Sequence, residues 1–149
     1  MSRCNIKTII IVVLAALFVA FIWSNSVKSQ EESREQSAVV SNFLRQILDP
    51  AGKIPVYKFH HFVRKTVHFV EFAILGGLIG GLFQVIRSRT GRGLYVLPVL
   101  LVVLVAVLDE YIQTFTGRGS GVSDVLLDCY GGLFGLGVVL LVAFLMKKK

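Results

Sequence analysis

The chain reads as an all-α integral membrane protein, a four-helix transmembrane bundle with an outer amphipathic helix between its first and second spans. Three observations carry that prediction. Hydrophobic residues make up 54% of the 149 positions. They concentrate in four runs, 6–23, 63–83, 94–111 and 122–146, each close to the roughly 17–25 residues needed to cross ~30 Å of hydrocarbon. The ionisable residues sit around these runs and at their ends, and no second composition interrupts the chain, so 1–149 is one membrane domain. The net charge of +7 does not indicate nucleic acid, because the Lys and Arg residues flank the spans and form no stripe with interleaved aromatics.

The first run follows Arg3 and Lys7 and ends at Trp23. A charged start and the small residues Ser24-Asn25-Ser26 resemble a secretory signal, but the apolar stretch outlasts the usual h-region of about 7–15 residues. With Trp23 as an interfacial anchor, it is expected to be an uncleaved signal anchor. The outer segment, 24–62, is polar at first and then places Val39, Val40, Phe43, Leu44, Ile47 and Leu48 at helical spacing. Ser33 and Gln36 are suited to a capping box, and Asp49-Pro50 with Gly52 stops the helix. Its stripe is too short to span, which leaves it on the bilayer surface, over the bundle as a lid, or as a packed connector.

The second span opens with Lys65, His68 and Glu71, three residues apart and so on one helical side. His60 and His61 precede it as surface residues, and the three histidines lack the compact spacing of zinc motifs. Gly76, Gly77, Gly80 and Gly81 follow, and the last span answers with Gly131, Gly132, Gly135 and Gly137. Small residues four apart let helix backbones approach closely. The third span has no glycine between Tyr95 and Tyr111 and is expected to face lipid over much of its surface.

Four spans put the start of the second, the end of the third and the start of the fourth at one membrane face. Lys65, His68, Glu71, Asp109, Glu110, Gln113, Arg118, Asp124 and Asp128 therefore share one depth. Asp109 and Gln113 lie about 40° apart on a helical wheel, as do Asp124 and Asp128. The other face carries Arg3, Lys7, Arg87, Arg89, Arg92 and Lys147 to Lys149 with no acid, and crowding of basic residues in short segments marks the cytoplasmic side. Both termini are expected there, in the cell membrane. Cys4 and Cys129 then lie on opposite faces, beyond the ~7 Å Cα separation that a disulfide tolerates.

The spacing Lys65-x-x-His68-x-x-Glu71-Phe72, then Asp109-Glu110-x-x-Gln113-x-Phe115-x-x-Arg118 and Asp124-x-x-x-Asp128-x-x-Gly131, resembles the VanZ-like family of bacterial membrane proteins across the latter two-thirds of the chain. Similar proteins commonly carry Asn where this chain has Asp128, leaving an additional acid here. The family's namesake is associated with low-level teicoplanin resistance, so the resemblance implies a role in the bacterial cell envelope.

The polar residues are compatible with a structural salt-bridge network, but ionisable groups inside membranes are functional by default, and two functions from different classes fit them. In one, the protein binds a membrane lipid or lipid-linked envelope intermediate without catalysis and without a cofactor. Lys65 and Arg118 would hold its anionic head, with effects on glycopeptide susceptibility. In the alternative, an intramembrane hydrolase or transferase acts on an envelope lipid. His68 or Glu71 would be the general base, and Asp109, Glu110, Asp124 and Asp128 would hold Mg²⁺ or Mn²⁺. No nucleophile motif accompanies the acids, which favours binding.

The orientation is testable by labelling. A cysteine placed at Gly119 is expected to react with a membrane-impermeant thiol reagent in intact cells, and one at Ser88 is not; the reverse pattern would invert the topology.

Overall fold

The structure, a computed structural model, describes residues 3–91, 93, 95–117 and 121–147. Five helices account for nearly all of them: α1 (Arg3–Ser26), α2 (Gln30–Leu48), α3 (Val56–Thr90), α4 (Val96–Phe115) and α5 (Val122–Lys147), with no strand among the described residues. Helices α1, α3, α4 and α5 are each long and apolar enough to cross a membrane, matching the four predicted spans. The ends of α1 and α4 and the starts of α3 and α5 meet at one end of the bundle, termed the polar end.

α3 is longer than predicted. Its 35 residues extend about two turns beyond 63–83 on each side and rise about 52 Å at 1.5 Å per residue, against ~30 Å of hydrocarbon. Pro55 opens it, and Gly91, at φ 67°, closes it by donating its N–H to the Arg87 carbonyl at 3.0 Å. A left-handed residue at that position favours glycine. Between these stops the flanking turns are charged but contain no helix breaker, so hydropathy falls while the helix continues.

α2 begins one turn earlier than the predicted Ser33–Gln36 cap. Ser29 is the cap residue: its hydroxyl accepts from the Glu32 N–H at 3.3 Å, and its own N–H donates to Glu32 Oε2 at 2.9 Å. An ionised Glu accepts more strongly than a neutral Gln, and Gln30 and Glu31 are good helix formers, so the earlier box wins. The Ser29 backbone N–H, with its hydroxyl, holds the Glu32 carboxyl below its ordinary range. The helix stops as expected at Leu48, where Asp49 accepts from the Lys53 and Ile54 N–H groups at 2.8 and 2.9 Å. α2 packs along α3, while Val39, Val40, Phe43, Ile47 and Leu48 remain exposed.

The largest helix interface joins α3 to α5, which run parallel from the polar end. Glycine permits it. A Cβ added at Gly131 would strike the Phe69 carbonyl oxygen, one at Gly135 the Ala73 carbonyl oxygen, and one at Gly76 the Gly132 carbonyl oxygen. Gly132 in turn seats the Val102 side chain of α4. Not every glycine takes part: around Gly81 and Gly137 a Cβ would meet nothing within 4 Å.

α4 presents a single buried stripe, Pro98, Val102, Ala106, Asp109, Glu110 and Gln113, which passes from apolar to polar towards the polar end. Its opposite side, including Leu100, Leu104, Val107, Tyr111 and Phe115, is exposed and suited to lipid. Ile22 from α1 joins Phe72, Leu75, Ile79, Val102, Ala106 and Leu136 in the core. Over most of its length α1 is peripheral, and only its last turns, with Ile22 and Ser26, are fully buried. Cys129 is a free thiol.

These contacts separate seam glycines from bystanders. Gly131→Leu and Gly135→Leu are expected to force α5 off α3, costing at least the ~1–3 kcal/mol typical of overpacking, and to lower the melting temperature in detergent. Gly137→Leu should leave it unchanged. Equal melting temperatures for the three variants would rule out the seam.

Candidate functional site

The last turns of α1 and α4 and the first turns of α3 and α5 each deliver polar side chains to the polar end. On α3 the spacing of three puts Lys65, His68 and Glu71 on one side of the helix, facing α5 and α1. Lys65 Nζ donates to Asp124 Oδ1 at 2.6 Å. His68 Nδ1 lies 3.9 Å from Glu71 Oε2 and 4.0 Å from Asp128 Oδ1. Asn25 of α1 reaches Glu71 Oε1 through its Nδ2 at 3.4 Å.

Asp109 is fully buried. A buried carboxylate without partners is strongly destabilising, and here both oxygens are met. Ser26 Oγ donates to Oδ1 at 2.6 Å, and Gln113 Nε2, one turn along α4, donates to Oδ2 at 2.7 Å. Glu110, on the adjoining face, accepts the Gly121 backbone N–H at 3.2 Å, which ties the start of α5 to the end of α4. Asp128 is 1% exposed, and its Oδ2 has no hydrogen-bond partner.

The predicted residues therefore resolve into linked groups. Lys65 pairs with Asp124, His68 lies between Glu71 and Asp128, Asp109 is held by Gln113, and Glu110 caps the approach to α5. Arg118 lies outside the described residues. A small cavity of about 20 Å³ opens among them, lined in part by His68, Glu110, Gln113 and Asp128, with room for about one water-sized particle.

Two contributions were not expected from the sequence. Ser26 and Asn25, read with Ser24 as small residues suited to signal cleavage at the start of the outer segment, instead supply side chains to Asp109 and Glu71. Thr116 Oγ1 also donates to the Ser26 carbonyl at 3.3 Å. A signal was present: Ser26 falls four residues after Ile22, so it continues the inward face of α1.

The second is a basic mouth between α2 and the start of α3. A cavity of about 1160 Å³ is lined by Arg34, Lys58, His60, His61 and Arg64, with Glu35 as its only acid among the described residues. Arg34, Lys58 and Arg64 make no ion pair among the described residues. Arg64 also lines both the small polar cavity and a neighbouring one of about 190 Å³ whose walls include Val40, Val63, Val67, His68 and Glu71. Arg34 and Lys58 lie in the expected outer segment and Arg64 at the start of the expected second span, and their convergence depends on how α2 folds back on α3.

Comparison with curated proteins and with solved structures gives no match. Residues 9–144 match the VanZ/LLP1 family, a span that takes in the polar ends of all four membrane helices as well as α2. The chain is a member of the VanZ/LLP1 family of membrane proteins.

Proposed function

We propose that this protein binds an anionic amphiphile, a membrane lipid or lipid-linked envelope intermediate, at the outer face of the bacterial cell membrane, with both termini cytoplasmic. The observation that carries this is the basic mouth, where Arg34, Lys58 and Arg64 face one large cavity without ion-pair partners among the described residues. Unpaired Arg and Lys side chains suit a phosphate or carboxylate head, Arg through its planar fork and Lys as a point charge. Of the two cations expected to do this, Lys65 is committed to Asp124 and Arg118 lies outside the described residues.

An amphiphile also needs an apolar path. Val40, Val63 and Val67 line the cavity beside the mouth, and the exposed apolar stripe of α2 would lie along the bilayer surface next to it. Headgroup and tail would thus be met by neighbouring parts of the α2–α3 junction. Binding requires no reaction, and of the four acids expected to hold Mg²⁺ or Mn²⁺ in the alternative, Asp124 holds Lys65 and Glu110 holds the Gly121 amide. In the cell, sequestering or screening such a molecule would alter glycopeptide susceptibility, teicoplanin included.

Native mass spectrometry of the protein released from anionic or zwitterionic lipid tests this reading. The wild type is expected to retain phosphatidylglycerol over phosphatidylcholine. Arg34→Gln, Lys58→Gln and Arg64→Gln should each weaken retention, by up to about tenfold for a charge-assisted contact worth ~1.5 kcal/mol. Equal retention of both lipids, or an unaltered triple variant, would defeat the proposal. In cells, Glu71→Gln and Asp124→Asn should change glycopeptide susceptibility at normal membrane abundance; a change only in proportion to abundance would mean the cluster is structural.

A further inference from the structure

We propose that His68, Asp109 and Asp128 form a binding site for one divalent transition-metal ion, with Zn²⁺ as its expected occupant. Each of the three offers a ligand atom, and these atoms lie within 4.8 Å of one another. Tetrahedral Zn²⁺ with bonds of about 2.0–2.2 Å places its ligand atoms roughly 3.4 Å apart, so closing the site takes side-chain shifts of about 1.5 Å or less. The three come from three helices, α3, α4 and α5, so no single helix sets the site. It goes beyond the amphiphile reading and does not depend on it.

The cluster alone would be only a group of acids beside a histidine. A separate observation points to a ligand: Asp128 is 1% exposed, stands 4.0 Å from His68 through Oδ1, and buries Oδ2 with no hydrogen-bond partner. Buried carboxylate oxygens in native proteins normally have a partner. A metal ion supplies one, and a doubly charged ion neutralises two ionised aspartates when His68 is neutral. The small cavity touching His68 and Asp128, about 20 Å³, provides space for an ion or for a completing water.

The surrounding contacts are those that hold a metal ligand in place. Ser26 and Gln113 each donate to Asp109, fixing the carboxylate much as outer hydrogen bonds fix ligands in metal sites. Glu71 stands 3.9 Å from His68 Nδ1, a further carboxylate beside the imidazole. One imidazole with two carboxylates favours Zn²⁺ or a related transition ion over Mg²⁺ and Ca²⁺, which prefer all-oxygen sites.

The test uses the full chain in detergent, stripped with EDTA, passed through gel filtration and titrated with ZnCl₂ without added lipid. About one tightly bound Zn²⁺ per chain is expected by elemental analysis. Asp128→Asn and His68→Gln should each weaken binding at least tenfold, while His60→Gln with His61→Gln should not. Co²⁺ added to the stripped wild type should give visible d–d bands of a low-symmetry site that Zn²⁺ abolishes, a readout independent of whether any variant folds. Less than a tenth of an equivalent of Zn²⁺, wild-type affinity in both site variants, or loss that follows His60 and His61 would overturn the site. Lipid retention measured by native mass spectrometry before and after EDTA reports the amphiphile reading separately.

Discussion

The structure depends on one steric fact: α3 and α5 touch backbone to backbone because glycine leaves room for them to do so. Gly131 and Gly135 sit over the carbonyl oxygens of Phe69 and Ala73, and Gly76 sits over that of Gly132. Four-residue steps on both helices keep this contact in register for two turns. In lipid there is little hydrophobic gain from pairing apolar helices, so packing of this kind and hydrogen bonds carry the association. Phe69 follows His68, and Gly131 is one turn beyond Asp128. The seam therefore also fixes how far His68 stands from Asp128, so any side chain larger than hydrogen at Gly131 would move the site as well as the fold.

Above the seam the constraint becomes electrostatic. The bundle buries Asp109, Glu110 and Asp128, and carboxylates held away from water need partners close at hand. Asp109 finds them in Ser26 from α1 and in Gln113 one turn along α4, and Glu110 in the amide of Gly121 at the start of α5. This gives α1 a role its exposed length does not suggest. Most of that helix faces outward, yet its last turn plugs the polar end, filling the core with Ile22 and answering Asp109 with Ser26.

Much of this was legible in the sequence because apolar runs, glycine spacing and polar residues at run ends are local signals. Four spans, the halt of α2 at Asp49 and the gathering of Lys65, His68, Glu71, Asp109, Glu110, Gln113, Asp124 and Asp128 at one end all follow from such signals. The limits of α3 were not, since hydropathy marks where a helix is greasy and Pro55 and Gly91 mark where it begins and ends. Pairing choices were hidden too. Spacing places Lys65, His68 and Glu71 on one side but cannot say that Lys65 turns to Asp124 on α5. Gly81 and Gly137 look like seam residues by spacing, and only the relative rotation of the helices sets them apart. The basic mouth was least visible, because Arg34 lies far from Lys58 and Arg64 in sequence and meets them only when α2 folds back.

The division of cations explains why two kinds of chemistry can occupy one end of a small bundle. Lys65 is drawn inward to Asp124, so Arg34, Lys58 and Arg64 remain at the periphery facing a wide cavity. Under the proposed amphiphile reading, anion recognition would then lie outward, at the α2–α3 junction. The interior keeps an excess of carboxylate around His68, which suits a small cation and repels an anionic headgroup. Arg64 touches both regions, so a ligand in the mouth would lie within one side chain of the acids beneath. If the two sites influence one another, the coupling should pass through Arg64, since withdrawing its positive charge towards a headgroup leaves the buried carboxylates more in need of a cation.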